Sequence, residues 1–530
     1  MLDSKKDKAM KMIYNILATI SVLSLLSCND FLEPNSESEF VPEDATSLNE
    51  LLLGEAYQRN DMEGFNIFLG LLDDDIEAAP YQTPMEGFDE NLLFASFTWQ
   101  PDMFKMMGEA GAGHINLYES YYEVILGANA VLDYIPDVND TEDNVNKVKA
   151  QAYALRGFYY FNLVNIFGKP YNSDPEALGV PLKLNSGIEE SDDYLKRSTV
   201  GEVYEQILQD LHTAEETYLS LPESEQWSDN YRTSLPMVQL MLSRTYLYME
   251  NWDKAAEYAR LVMDNDRFSL LDLNSVLLHG HDSEGKIIRN YYVFPTYKSS
   301  ETIWPYGNVE DMFEWTYTGA NSVNTVTGNK MHAYFQASQD LLNTYLDYDL
   351  RLSRYIVQAP TGNSNGELMY MPFGKVNVGT TYYLPQNAVG IFGRCLRLSE
   401  AYLNYAEAKA MMGGEGIAEA TAALNTLREK RFDPEDFEEE EFTSQEELIE
   451  FVREERRREL CFEGHRWFDL RRWGMPTITH TWHTAPDESV TYRLEETDLL
   501  YTVPIPDEAL EMNSRLEQNE LPSKRMPIVQ

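Results

Sequence analysis

Cysteine is scarce. Three in 530 residues are too few for a fold held together by disulfides. Cys395 and Cys461 sit in apolar, regular-looking segments, which favours two buried thiols over a bridge. Basic residues are also few, 42 Lys and Arg against 88 Asp and Glu, for a net charge of −46. A field of that sign repels nucleic acid. It also disfavours adsorption to anionic membrane surfaces, so any attachment there falls to a lipid. No P-loop, GxGxxG, GxSxG or HExxH pattern occurs, and no Cys/His cluster suggests zinc. No cofactor, no metal and no catalytic constellation is therefore expected. A long apolar run occurs once, from Met12 to Leu26, and it falls short of the roughly 20 residues of a spanning helix.

That run has a clear setting. Lys5, Lys6, Lys8 and Lys11 precede it, and it ends in Leu25-Leu26-Ser27-Cys28. A basic start, an apolar middle and a small residue before the cut make a secretory signal. With Cys at the cut, it resembles a lipobox, in which Cys28 is acylated and becomes the mature N-terminus. The expected organisation is a signal peptide over 1–27, a lipidated tether over 28–45 and one domain over 46–530.

The domain reads as mostly α. Leu117, Tyr121, Val124, Ala128, Val131 and Ile135 fall three or four apart and stop at Pro136. Val148, Ala152, Leu155, Tyr159, Asn162 and Ile166 follow on one face, with Gly168 where a C-cap belongs. Val203, Ile207, Leu211 and Ala214 mark a third helix. Pro236–Met249 with Trp252–Met263, and Leu396–Met412 with Ile417–Arg431, read as further hairpins. Ser243 on one helix and Ala255 and Ala259 on the next permit close approach. About four such pairs resemble degenerate tetratricopeptide repeats. Trp227 and Trp252 accompany these helices as core residues. Two stretches, 55–112 and 265–390, lack helical period and are rich in Gly, Asn, Thr, Asp and aromatics. Long irregular segments on a rigid scaffold are where binding surfaces lie.

The most specific segment runs from Arg453-Glu454-Glu455-Arg456-Arg457-Arg458-Glu459-Leu460 through Phe462-Glu463-Gly464-His465-Arg466-Trp467-Phe468-Asp469 to Trp473. Its alternating carboxylates and guanidiniums can pair at i,i+3 and i,i+4 on a helix. It reads as a structural salt-bridge knot rather than an active site. The segment resembles the signature of the SusD-like (RagB/SusD) family of Bacteroidetes surface lipoproteins. So do Cys28-Asn29-Asp30-Phe31-Leu32-Glu33, Ala154-Leu155-Arg156-Gly157-Phe158-Tyr159-Tyr160-Phe161-Asn162, Phe167-Gly168-Lys169-Pro170, Asp349-Leu350-Arg351, Leu398-Ser399-Glu400-Ala401-Tyr402 and Pro504-Ile505-Pro506 with Gln518-Asn519. The family's closing Gln-Asn-Pro-Gly-Tyr departs here to Gln518-Asn519-Glu520-Leu521-Pro522. The resemblance implies a helical scaffold carrying a large irregular region. It implies a place on the outer leaflet of the outer membrane, held by the N-terminal lipid. It further implies a non-catalytic role as lid over a SusC-like, TonB-dependent transporter that receives oligosaccharides or, in some branches, peptides.

A neutral sugar offers C–H groups to aromatic rings and hydroxyls to polar side chains. Exposed aromatics in the irregular segments are therefore the expected ligand residues: Trp99, Trp315 and Tyr317. Trp304 follows Ile303 in a strand-like run and is expected in the core. Asp73-Asp74-Asp75 lacks the spacing of a calcium loop and reads as a solvated turn. A surface glycoside hydrolase would need two carboxylates astride one bond, and with 88 acidic residues no pair stands out.

Overall fold

The computed structural model describes residues 41–59, 68–79, 89, 91–111, 116–188, 194–227, 229, 231–276, 280–281, 287–288, 299–307, 334–360, 368–372, 374–375 and 393–528. The chain divides into two compact units, Met1–Glu43 and Asp44–Gln530, and every element described belongs to the second. Cys28, the segment 1–27, Trp315 and Tyr317 lie outside the described residues. Among the described residues no helix is long and apolar enough to cross a membrane.

The scaffold is a row of helices. They are α1 (Leu117–Tyr134), α2 (Glu142–Phe167), α3 (Val200–Ser220), α4 (Leu235–Tyr248), α5 (Trp252–Met263), α6 (Leu398–Met412), α7 (Gly416–Glu429) and α8 (Gln445–Leu460), followed by the short α9 (Arg466–Arg472). Each packs on the next in line from α1 to α7, and α8 returns to α6. The mostly α reading thus holds, and the helices sit where the apolar period puts them.

Local chemistry sets the ends. Asn116 caps α1, accepting from the Glu119 N–H at 3.1 Å, and α1 gives way at Ile135-Pro136. Thr199 and Glu202 close a reciprocal capping box on α3 at 3.1 and 2.8 Å. The Ser243 hydroxyl donates to the Ala255 carbonyl at 2.9 Å, so the small residue on α4 does bring the α5 backbone close. Gly127 serves the same end on α1: a Cβ there would stand 2.0 Å from the Glu55 carbonyl oxygen.

The irregular chain between helices is stitched by short antiparallel ladders. β1 (Ile76–Ala78) pairs with β3 (Phe335–Ala337), and β2 (Thr302–Tyr306) pairs with β4 (Arg394–Arg397). Both join segments remote in sequence. The hairpin β5 (Ile478–Ala485)–β6 (Glu488–Leu494) packs against β1. Ile478, His480 and Trp482 alternate inward while Thr479 and Thr481 face out, the period of two of a half-buried strand.

The charged segment is a buried knot, but its pairs are mostly long-range. Glu459 accepts from Arg397 at 2.7 Å, Arg431 at 2.9 Å and Arg351 at 3.2 Å. Glu455 holds Arg351 at 2.7 Å, and Glu301 holds Arg431 and Arg397. Arg456 pairs with Asp469, and Arg472 with Glu407. Helical i,i+3 and i,i+4 pairing, the expectation from sequence, accounts for Arg458 with Glu455 and Glu454. The reason is burial. A guanidinium stripped of water on every side needs several acceptors, and one helix face cannot supply them.

Candidate functional site

The loop face carries a cleft of about 560 Å³ between β1, β5 and the turn at Ser338–Asp340. Its walls are polar: Asp74, Glu77, Ser338, Asp340, Thr479 and His483. Period two explains the threonines and His483, because the residues between them fill the core below. That core is aromatic. Phe94 meets Trp482 edge-on at 5.5 Å, and Phe97 lies against Phe335 at 5.0 Å.

The acids of the cleft are already occupied. Arg466 forks onto Asp74 at 2.6 and 2.8 Å. Arg457 reaches Asp340 at 2.6 Å and Asp75 at 2.8 Å. Glu77 accepts from the Gln336 amide at 2.7 Å and from the Gln339 N–H at 2.9 Å. The Ser338 hydroxyl donates to the Asp74 carbonyl at 2.7 Å. Burial pushes the Asp74 carboxyl up, but Arg466 and Arg457 outweigh it and hold the group well below the usual range. Asp73 goes the other way: burial, with Asp75 and Asp74 beside it, raises its pKa well above the ordinary value. A carboxylate fixed in the ionised state by a forked guanidinium cannot serve as a general acid. Such a rim can instead accept and donate hydrogen bonds to hydroxyl groups.

The aspartate run therefore differs from the solvated turn read from sequence. Asp73 and Asp75 are 6% and 1% exposed. The reason lies far along the chain, in Arg457 and Arg466, which draw the run inward.

Trp99 also requires correction. It is fully buried, and its indole N–H donates to the Leu72 carbonyl at 2.9 Å. Its ring stacks on His480 with centroids 4.2 Å apart. Its φ of +50° is costly for a large side chain, and that conformation turns the indole under the cleft rather than into it. Trp99 thus presents no face for a ligand. Trp304 is buried as expected, meeting Phe158 edge-on at 5.0 Å. Cys395 and Cys461 are free, buried thiols, and burial pushes the Cys461 thiol up to about 12.

Sequence reasoning missed the β5–β6 hairpin and with it His480 and His483. The signal was present in the alternation of Ile478, His480 and Trp482 against Val490, Tyr492 and Leu494 across Ala485-Pro486-Asp487-Glu488.

A second groove, of about 870 Å³, runs between α7 and the loop 433–443. Asn425 spans it, exchanging hydrogen bonds with the Glu440 backbone at 2.9 and 3.0 Å.

Two family models cover much of the chain. Residues 289–521 match the SusD family, and residues 79–247 match a SusD-like family described as starch-binding and associating with the outer membrane. SusD-like protein P2 of Formosa agariphila is 27% identical over 386 residues, 66% of this chain and 70% of that one. SusD-like protein P38 of the same organism is 26% identical over 67% of this chain and 71% of its own. Among solved structures, a SusD superfamily protein from Bacteroides vulgatus superposes with a TM-score of 0.66 at 20% identity, covering 91% of this chain and all of that one. A SusD-like carbohydrate binding protein from the same organism gives 0.64 at 19% identity, covering 89% and 97%. At these identities the structural likeness is one of fold.

Proposed function

Because this chain belongs to the SusD-like family, we propose that it is a non-catalytic surface lipoprotein that captures oligosaccharides and hands them to a SusC-like, TonB-dependent transporter in the outer membrane. One observation carries the reading: the loop-face cleft combines hydroxyls and imidazole with carboxylates already engaged, Asp74 and Asp340 by Arg466 and Arg457 and Glu77 by the Gln336 amide and the Gln339 N–H. Such a rim suits a neutral polyol. It offers hydrogen-bond partners in both directions and asks no counter-charge of the ligand. Trp315 and Tyr317 are the aromatics assigned to stack on the sugar's apolar face, from the segment that precedes Tyr334 and β3. Cys28 carries the lipid, and 28–45 gives the domain reach from the membrane. The description of the family matched over 79–247 supports an outer-membrane setting, and the name of one structural relative supports carbohydrate as the ligand class.

The test is binding of residues 29–530 to a panel of neutral polysaccharides, by calorimetry or affinity electrophoresis. One glycan should bind, and Trp315→Ala should weaken it at least tenfold with no change in melting temperature. Binding of basic or extended peptides with no glycan bound would replace the sugar by a peptide. Turnover of any glycan would overturn the non-catalytic reading.

A further inference from the structure

His480 is 4% exposed and lies at the floor of the cleft. Its Nδ1 stands 2.7 Å from the Phe97 carbonyl oxygen, and its Nε2 stands 2.9 Å from that of Asp73. A backbone carbonyl can only accept. A neutral imidazole has one N–H to give, so one of these two oxygens would face a bare lone pair at hydrogen-bond distance. The ring faces point the same way. Phe97 stacks on the imidazole at 4.1 Å and 13°, and Trp99 at 4.2 Å and 22°. Two parallel rings at that spacing occupy opposite faces of one imidazole, and both present the negative side of a quadrupole.

We propose that His480 is a buried imidazolium, and that its two N–H groups tie the Asp73 loop to the Phe97–Trp99 segment and so position the floor of the cleft. The proposal does not depend on which ligand the cleft takes. His480 is a positioning residue here, one that fastens two walls.

The charged and titratable groups around it are accounted for. The Asp73, Asp74 and Asp75 carboxyls belong to the loop it fastens, with Arg457 and Arg466 behind them. Tyr492 opposes it across the hairpin, and His483 lies three residues along its own strand. Phe335 contributes only a ring. Burial pulls an imidazole in this place down and outweighs the upward pull of the two carbonyls and Asp74, which together leave it at about 4. Against that balance stand the two ring faces, which favour the cation, and the geometry of two acceptors on one ring. Among the described residues the other buried histidine, His465, makes the contrast. His465 has Arg456 at 3.4 Å from Nδ1, and burial with Arg244 and Arg456 drives its pKa well down. That ring faces a donor and is neutral; His480 faces acceptors and is charged.

Two measurements decide the matter. The first is a ring-nitrogen NMR spectrum of 15N-histidine protein at about pH 8, where ordinary imidazoles are neutral. One imidazole with both nitrogens protonated is expected, and it should vanish in His480→Gln. If that variant does not fold, Phe97→Leu should shift the same signal through the lost ring face. Absence of any doubly protonated ring, or its persistence in His480→Gln, overturns the proposal. The second is melting temperature against pH for wild type and His480→Gln. A raised folded-state pKa adds stability that is full below the unfolded value near 6.5 and fades as pH rises through the folded one. The advantage of wild type over His480→Gln should therefore grow on going from about pH 8.5 to about pH 6. An advantage that shrinks over that range would mean a neutral imidazole.

Discussion

Trp99 shows how a single residue can look like one thing in sequence and be another in space. Its neighbours Thr98 and Gln100 are polar, which suggested an exposed indole. Both are themselves buried. Thr98 donates to the Phe94 carbonyl at 2.7 Å and Gln100 donates to Thr98 at 3.0 Å. Local polarity was spent on the turn, not on solvent. Trp99→Ala should thus cost about 3–5 kcal/mol of stability, as a large core truncation does, visible as a lower denaturant midpoint. Trp315→Ala should leave that midpoint in place. The thiols give a second test at this scale. In a chain starting at residue 29, Cys395 and Cys461 are buried and unbridged. Neither should react with a thiol reagent until the protein unfolds, when both should, and reductant should not move the melting temperature.

Helix α8 concentrates what can be asked of an element. Glu455 and Glu459 are fully buried and meet guanidiniums from residues 351, 397 and 431. Removing one partner of a buried pair leaves the other charge uncompensated. Glu459→Gln should destabilise by about 3–5 kcal/mol, more than Glu454→Gln, whose carboxylate is exposed and meets one edge of Arg458. The pH dependence follows from direction. Burial raises the Glu455 carboxyl, but Arg351 and Arg458 outweigh it and bring it to about 2, and Glu459 and Glu463 are lowered by their arginines likewise. Their folded values lie below the unfolded one, so their stabilisation is complete above about pH 4.5 and drains away as pH falls towards 2. An acid titration followed by circular dichroism should show the loss in that window, and Glu459→Gln should flatten it. The helices themselves were legible because their apolar period and end signals are local: Pro136 and Gly168 need no tertiary knowledge. The pairing partners were not. Nothing around Asp74 in the sequence announces Arg466, and nothing around Arg351 announces Glu455.

For the whole molecule, charge separates the two ligand classes. The net −46 acts over a Debye length and is screened by salt. Capture of a neutral glycan should be nearly unchanged between low and high salt, whereas capture of a basic peptide should weaken steeply. Calorimetry at the two salt levels distinguishes them. The architecture was readable because a row of amphipathic hairpins repeats one pattern. The cleft was not, because its walls come from the loop at Asp74, the turn at Ser338 and the hairpin at Thr479, three places with no pattern in common.

The knot around Glu459 has one more consequence, and it concerns time. The ribosome delivers Arg351, Arg397 and Arg431 before it delivers their shared carboxylate, and Asp74 long before Arg457 and Arg466. Until α8 and α9 emerge, those arginines lack Glu459 and Asp74 lacks Arg457 and Arg466, whereas Arg156 on α2 already has Asp210 on α3 at 2.7 Å. A polypeptide stopped short of α8 would leave Arg351, Arg397 and Arg431 without the carboxylate of Glu459 that they share, and should be far less stable than the full domain.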